Sequence, residues 1–109
     1  MHCVRHRVTL LLMKAILIKK LIWDKWNIEH IKKHKVKPEE VEQSLKDQFV
    51  VFITGHTKRV MSLGRSDKRL ITTVLQKQEN NIYYVVTARD MAKRERLIYR
   101  QEKNKKGAE

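Results

Sequence analysis

The stretch FVVFITGHTKRVMSLGRSDKRLITTVLQKQENNIYYVVT, Phe49 to Thr87, decides the fold class. Its apolar residues fall in short runs rich in Val, Ile, Thr, Tyr and Phe: Phe49 to Thr54, Arg59 to Leu63, Leu70 to Leu75 and Ile82 to Thr87. Such runs suit a pleated, half-buried surface better than a helix. Between them stand Gly55-His56, Gly64-Arg65-Ser66-Asp67 and Asn80-Asn81, residue types that tolerate tight or left-handed turns. Four successive strands with short connections predict an antiparallel meander. Tyr83 and Tyr84 alternate across the last strand, so one is expected in the core and the other outside.

Upstream, AILIKKLIW from Ala15 to Trp23 is short, apolar and β-branched, and predicts a further strand. Asp24 ends it and is a favoured N-cap, so a helix is expected from Lys25 through His34. Trp26, Ile28 and Ile31 would be its apolar contacts, with Glu29, Lys32 and Lys33 toward solvent. Val36-Lys37-Pro38 breaks that helix. Pro38 suits a first helical turn, and Glu39 and Glu40 place negative charge at the positive end of the dipole of a second helix, with Val41 and Leu45 inward. Downstream, Asp90 is the expected cap of a third helix from Met91 to about Lys103, and Asn104 to Glu109 has no evident reason to order. The layout is α+β: a single antiparallel sheet carrying two N-terminal helices and one C-terminal helix.

The chain has 109 residues, room for one domain, expected over residues 15–103. Twenty-five Lys and Arg against twelve Asp and Glu leave a formal charge of +13, which favours a polyanionic partner, nucleic acid foremost. Cys3 is the only cysteine, so neither an internal disulfide nor a multi-cysteine zinc site can form, and a cytoplasmic location is expected. Val8 to Met13 imitates the start of a secretory signal, but Lys14, Lys19 and Lys20 interrupt the run, and no membrane association is expected. Residues 1–14 read as a poorly specified leader, and Met13 would serve equally well as a translation start.

His30 and His34 lie one helical turn apart, as paired zinc ligands do, but Ile31 stands where a catalytic zinc helix needs Glu, and no third ligand is suitably spaced. No metal and no cofactor is expected. Among lysines, an imidazole can move a proton beside a phosphate, or simply face water. Arg65 can hold a phosphate bidentately from a strand end, and Arg89 precedes a helix N-terminus, where anions are favoured. Arg89 to Lys106 carries eight basic and three acidic residues, a net +5. Glu95 would pair with Arg94 or Arg100, or orient one of the arginines for work. There is no Gly-rich phosphate loop, nucleophile elbow or paired-carboxylate signature.

Trp23-Asp24, Asn27, Lys33-His34, Val36, Glu39-Glu40-Val41, Gly64-Arg65-Ser66 and above all TARDMAKRERLIY, Thr87 to Tyr99, resemble the BrnT family, toxins of bacterial type II toxin-antitoxin pairs. The resemblance covers about Leu21 to Arg100. It implies a RelE-like ribonuclease fold, metal-free endonucleolytic cleavage of RNA, growth arrest through blocked translation, and neutralisation by a BrnA-type antitoxin that carries the operator-DNA contact. A homodimer and a toxin-antitoxin heterotetramer both remain open. Carried over by position, His34 would transfer the proton, Arg65 and Arg89 would stabilise the phosphate, and Glu95 would orient an arginine. Lys33, Arg94 and Tyr99 would contact RNA. Lys37 and Ala92 depart from a hydroxyl-bearing residue common in relatives, leaving Asp90 as the third helix's cap. The alternative is a non-catalytic, basic nucleic-acid-binding module of the same descent.

Overall fold

The computed structural model describes residues 16–54 and 57–107, so the leader, the Gly55-His56 turn and the last two residues lie outside the described residues. The elements in chain order are β1 (Lys20–Ile22), α1 (Lys25–Lys32), α2 (Pro38–Leu45), β2 (Val51–Thr54), β3 (Arg59–Ser66), β4 (Arg69–Lys77), β5 (Ile82–Asp90) and α3 (Lys93–Gly107). One sheet runs in the order β1-β5-β4-β3-β2. From β2 to β5 it is the expected antiparallel meander, with Val51 opposite Leu63, Ser62 opposite Thr73 and Thr72 opposite Arg89.

β1 corrects the expectation of a purely antiparallel sheet. It pairs parallel to β5, with Leu21 opposite Tyr83, so the sheet is mixed. The meander leaves one edge of β5 free, and β1 fills it in the direction that lets α1 and α2 return across the sheet. A strand's own residues do not encode that direction. The helices also occupy both faces. Ile31 and Val41 join Phe52, Ile71, Leu75 and Val85 in one core, whereas Val51, Leu63, Met91 and Tyr99 form a second core beneath α3. Tyr83 is buried, and Tyr84 is half-buried with its hydroxyl donating to Asp24 Oδ1 at 3.2 Å.

The inner face of α1 is not the apolar one anticipated. Asp24 caps the helix as expected, but its partner is Asn27: each side chain accepts from the other's backbone N–H at 2.9 Å. Asn27 Nδ2 also donates to the Ile22 carbonyl at 2.8 Å. With these bonds made, Asn27 can be buried beside Ile31, one turn on, while Trp26 stays 78% exposed and Ile28 sits at the surface. Asn27→Ala should therefore cost about 2 kcal/mol, and Trp26→Ala less than about 0.5 kcal/mol, as read from urea midpoints. A larger loss for Trp26→Ala than for Asn27→Ala would contradict this assignment.

At α2, Lys37 makes no side-chain cap bond, and Glu40 instead reaches back to accept the Lys37 N–H at 2.9 Å. Gly64-Arg65-Ser66 is not a turn. β3 continues through it, and the chain reverses at Asp67, which takes φ 57°. Gly64 is needed for proximity: a Cβ there would stand 2.1 Å from the Ser44 carbonyl oxygen of α2. Asp90 lies inside β5 and does not cap α3. Glu95 does so by accepting the Ala92 N–H at 2.7 Å, and the helix runs to Gly107, past its expected end. Among the described residues, no helix is long and apolar enough to cross a membrane.

Candidate functional site

Strand alternation sorts the candidate residues between the two faces. Arg65 is opposite Leu70, Leu63 opposite Thr72, and Thr72 opposite Arg89, so these side chains share the face covered by α3. There Arg89 meets Glu95 in a two-pronged pair, Nη1 to Oε1 at 2.7 Å and Nη2 to Oε2 at 2.9 Å. Glu95 Oε1 further accepts the Thr72 hydroxyl at 2.8 Å as well as the Ala92 N–H. The Arg89 hydrogen bonds, aided by those of Ala92 and Thr72, outweigh desolvation and lower the Glu95 carboxyl to about 2. Reciprocally, the bond to Glu95 raises Arg89. Of the alternatives for Glu95, orientation of an arginine is the one realised, and that arginine is Arg89. A carboxylate so stabilised is a poor general base; it holds the guanidinium still.

Toward the β3–β4 turn, Arg65 lies beside Asp47. Asp47 Oδ2 accepts both the Arg65 backbone N–H at 2.9 Å and the buried Tyr99 hydroxyl at 2.5 Å. Burial is the main reason the Tyr99 phenol is raised, reinforced by Asp47 and opposed by Arg65, so it remains protonated. Arg65, Tyr99 and Leu70 line a hollow of about 300 Å³ together with Lys68, Arg100 and Lys103. Lys103 Nζ also sits 5.4 Å from the centre of the Phe49 ring. Among the described residues, the side chains of Arg65, Lys68, Arg100 and Lys103 form no ion pair. Four like charges around one hollow repel one another, offset in part by the Asp47 carboxylate beside Arg65. Arg94 is exposed on the same helix.

His34 and Lys33 are not in this group. Both are exposed beyond the end of α1, on the other face, where the His30 and His34 rings meet edge-on at 5.8 Å. What ties them to the site is Arg69, which sequence reasoning missed. Its Nε donates to Asp90 Oδ1 at 2.6 Å, Nη1 to the Lys35 carbonyl at 2.5 Å and to Glu40 Oε1 at 3.0 Å, and Nη2 to the His34 carbonyl at 3.2 Å. Asp90 adjoins Arg89, so Arg69 ties the His34 loop to the end of β5. The partners of Arg69 lie 21 to 35 positions away, so no local spacing marks it. Asp47, Lys68 and Thr72 were missed for the same reason. Among the described residues, no group of three or more His, Cys, Asp or Glu is placed to hold a metal ion.

A carboxylate-clamped arginine and a hollow lined by four basic side chains share one face of a mixed sheet set between helices, in a small basic α+β protein. Residues 23–95 match the family described as ribonuclease toxin, BrnT, of type II toxin-antitoxin systems, and the chain belongs to that family. Its fold is also similar to the crystal structure of the Brucella abortus ribonuclease toxin BrnT. The TM-score is 0.55 at 19% identity, covering 68% of this chain and 97% of that one. No curated protein matches. Membership of a type II family implies an antitoxin partner.

Proposed function

We propose that the chain is a metal-independent endoribonuclease of RelE-like descent, its toxin domain spanning residues 15–103, that arrests translation in the cytoplasm and is held in check by a BrnA-type antitoxin through which operator DNA is bound. The observation that carries this reading is the Arg89–Glu95 clamp on the same sheet face as the hollow lined by Arg65, Lys68, Arg100 and Lys103. In metal-free cleavage the RNA's own 2′-oxygen attacks the adjacent phosphorus; a bond from that oxygen to phosphorus forms as the bond to the 5′-oxygen breaks. The 2′-hydroxyl proton must leave, and the 5′-oxygen must gain one. Arg65 and Arg89 offset the extra phosphate charge, Arg89 already oriented by Glu95 and therefore with little reorganisation. His34, held at the same end of the sheet through Arg69, is the proton-transfer group. Lys33 and Arg94 flank the RNA, and the buried Tyr99 acts behind them by holding Asp47 in place.

The test is incubation of the purified chain with RNA in excess EDTA. Products ending in 2′,3′-cyclic phosphate are expected, with cleavage falling steeply as salt rises. Arg65→Ala should lower the rate at least about tenfold, the worth of one charged hydrogen bond. His34→Ala should abolish most turnover, a loss larger than its effect on RNA affinity. Intact RNA with folded protein, or cleavage that EDTA stops, would refute the reading.

A further inference from the structure

The only large aromatic side chain among the described residues that stands almost free in solvent is Trp26, and the proposed reaction leaves it without a role. It is 78% exposed, whereas Trp23 is half-buried with its indole N–H donating to Glu42 at 2.9 Å. Trp26, His30 and Lys33 follow one another at i, i+4 and i+7, so they form a row along one flank of α1, with neighbours about 5 to 6 Å apart at Cβ. The His34 ring packs edge-on against His30 at 5.8 Å and extends the row toward the loop that Arg69 holds.

The surroundings of the row select its partner. An apolar protein interface would need contiguous apolar surface, but Ile28 projects from the opposite flank of α1, and the exposed neighbours of Trp26 are Lys25, Glu29, His30 and Lys33. Isolated aromatic faces interleaved with cations suit unstacked bases joined by phosphates, since each base has a face to stack and each linkage a charge to neutralise. The row also has a direction. It ends at His34, whose carbonyl is bonded to Arg69, which is bonded to Asp90 beside Arg89.

We infer that the Trp26–His30–His34 row of α1, with Lys33, is a stacking platform for single-stranded RNA bases adjoining the cleavage site. This rests on RNA being the substrate. Nucleotides on one side of the scissile linkage lie along α1, and the other side follows the Arg65–Lys68–Arg100–Lys103 hollow across the end of the sheet. The platform accepts any base, because stacking does not read hydrogen-bonding edges.

The experiment measures binding of a fluorescent 2′-O-methyl RNA, which cannot be cleaved because its nucleophile is blocked, and of the same strand made abasic throughout. Trp26→Ala is expected to weaken the mixed-base strand about tenfold, and Trp26→Phe much less. Abasic strand should bind wild type and Trp26→Ala alike. Equal affinity of wild type and Trp26→Ala for the mixed-base strand overturns the platform, and so does a Trp26→Ala defect confined to antitoxin binding. If wild type binds with the usual salt dependence but shows no Trp26 effect, the platform alone is wrong. If wild type binds neither strand at low salt, the RNA reading fails first. Circular dichroism confirms that each variant is folded.

Discussion

Gly64→Ala should cost roughly 3 kcal/mol or more of folding stability, a large share of what a protein of this size has to lose. The added methyl would stand 2.1 Å from the Ser44 carbonyl oxygen and 2.9 Å from its carbon, with Val50 Cγ2 at 3.3 Å. A valine methyl can swing aside, but the carbonyl belongs to the backbone of α2. That helix is in turn anchored to β3, since the Ser66 hydroxyl donates to Gln43 Oε1 at 2.6 Å. Relief requires α2 to lift from β3, exposing Val41 and loosening Asp47, which orders Arg65 and Tyr99. Urea denaturation should show a much lower midpoint, and Ser44→Gly should not restore it, because the clash is with main chain. An unchanged midpoint would mean that α2 and β3 do not approach closely.

Arg89→Ala should lower RNA cleavage by about 100- to 1000-fold, the usual consequence of removing one preorganised charge at a phosphate-transfer site. It should also alter the acid stability. The Glu95 carboxyl sits near 2 when folded, below its ordinary value of 4.5, so it stabilises the fold when ionised. That contribution is fully present above about pH 4.5 and is lost as pH falls toward 2. Its size is about 1 to 2 kcal/mol, discounted because the Arg89 side chain is 38% exposed while that of Glu95 is 14% exposed. Arg89→Ala should remove most of this acid-side slope, leaving what Thr72 and Ala92 supply. Glu95→Gln should flatten it, and it should slow cleavage about tenfold with RNA affinity kept, as expected of a residue that positions Arg89. A wild-type acid slope surviving in Glu95→Gln would assign the titration to another carboxylate.

The legible parts of this protein were those decided by near neighbours. The β-branched runs from Phe49 to Thr87 specify the meander, and left-handed Asn80 and Asn81, at φ 55° and 63°, sit where their tolerance of such turns placed them. Asp24 caps α1 and Pro38 opens α2 for reasons contained within a turn of chain. The motif from Thr87 to Tyr99 was enough to signal the family. Where two local rules competed, tertiary contacts chose between them. Gly64 could serve a turn or a close approach, and the nearness of Ser44, twenty positions away, made it the latter. Asp90 could cap α3, but Arg69 claims its carboxylate and Glu95 becomes the cap.

By itself, then, the sequence determined the α+β class, the antiparallel order of β2 to β5, the places where α1 and α2 begin, and the strong positive charge. These follow from periodicity, capping and composition, which act over a few residues or over the chain as a whole. Only the tertiary structure decided that β1 runs parallel to β5, that Asn27 rather than Trp26 turns inward, and that Arg65, Arg89, Glu95 and Tyr99 share one face while His34 lies on the other. The reason is that a strand can pair in either direction and a polar side chain can be buried or exposed. Which occurs depends on partners that are distant in sequence and become neighbours only when the sheet and its helices close around them.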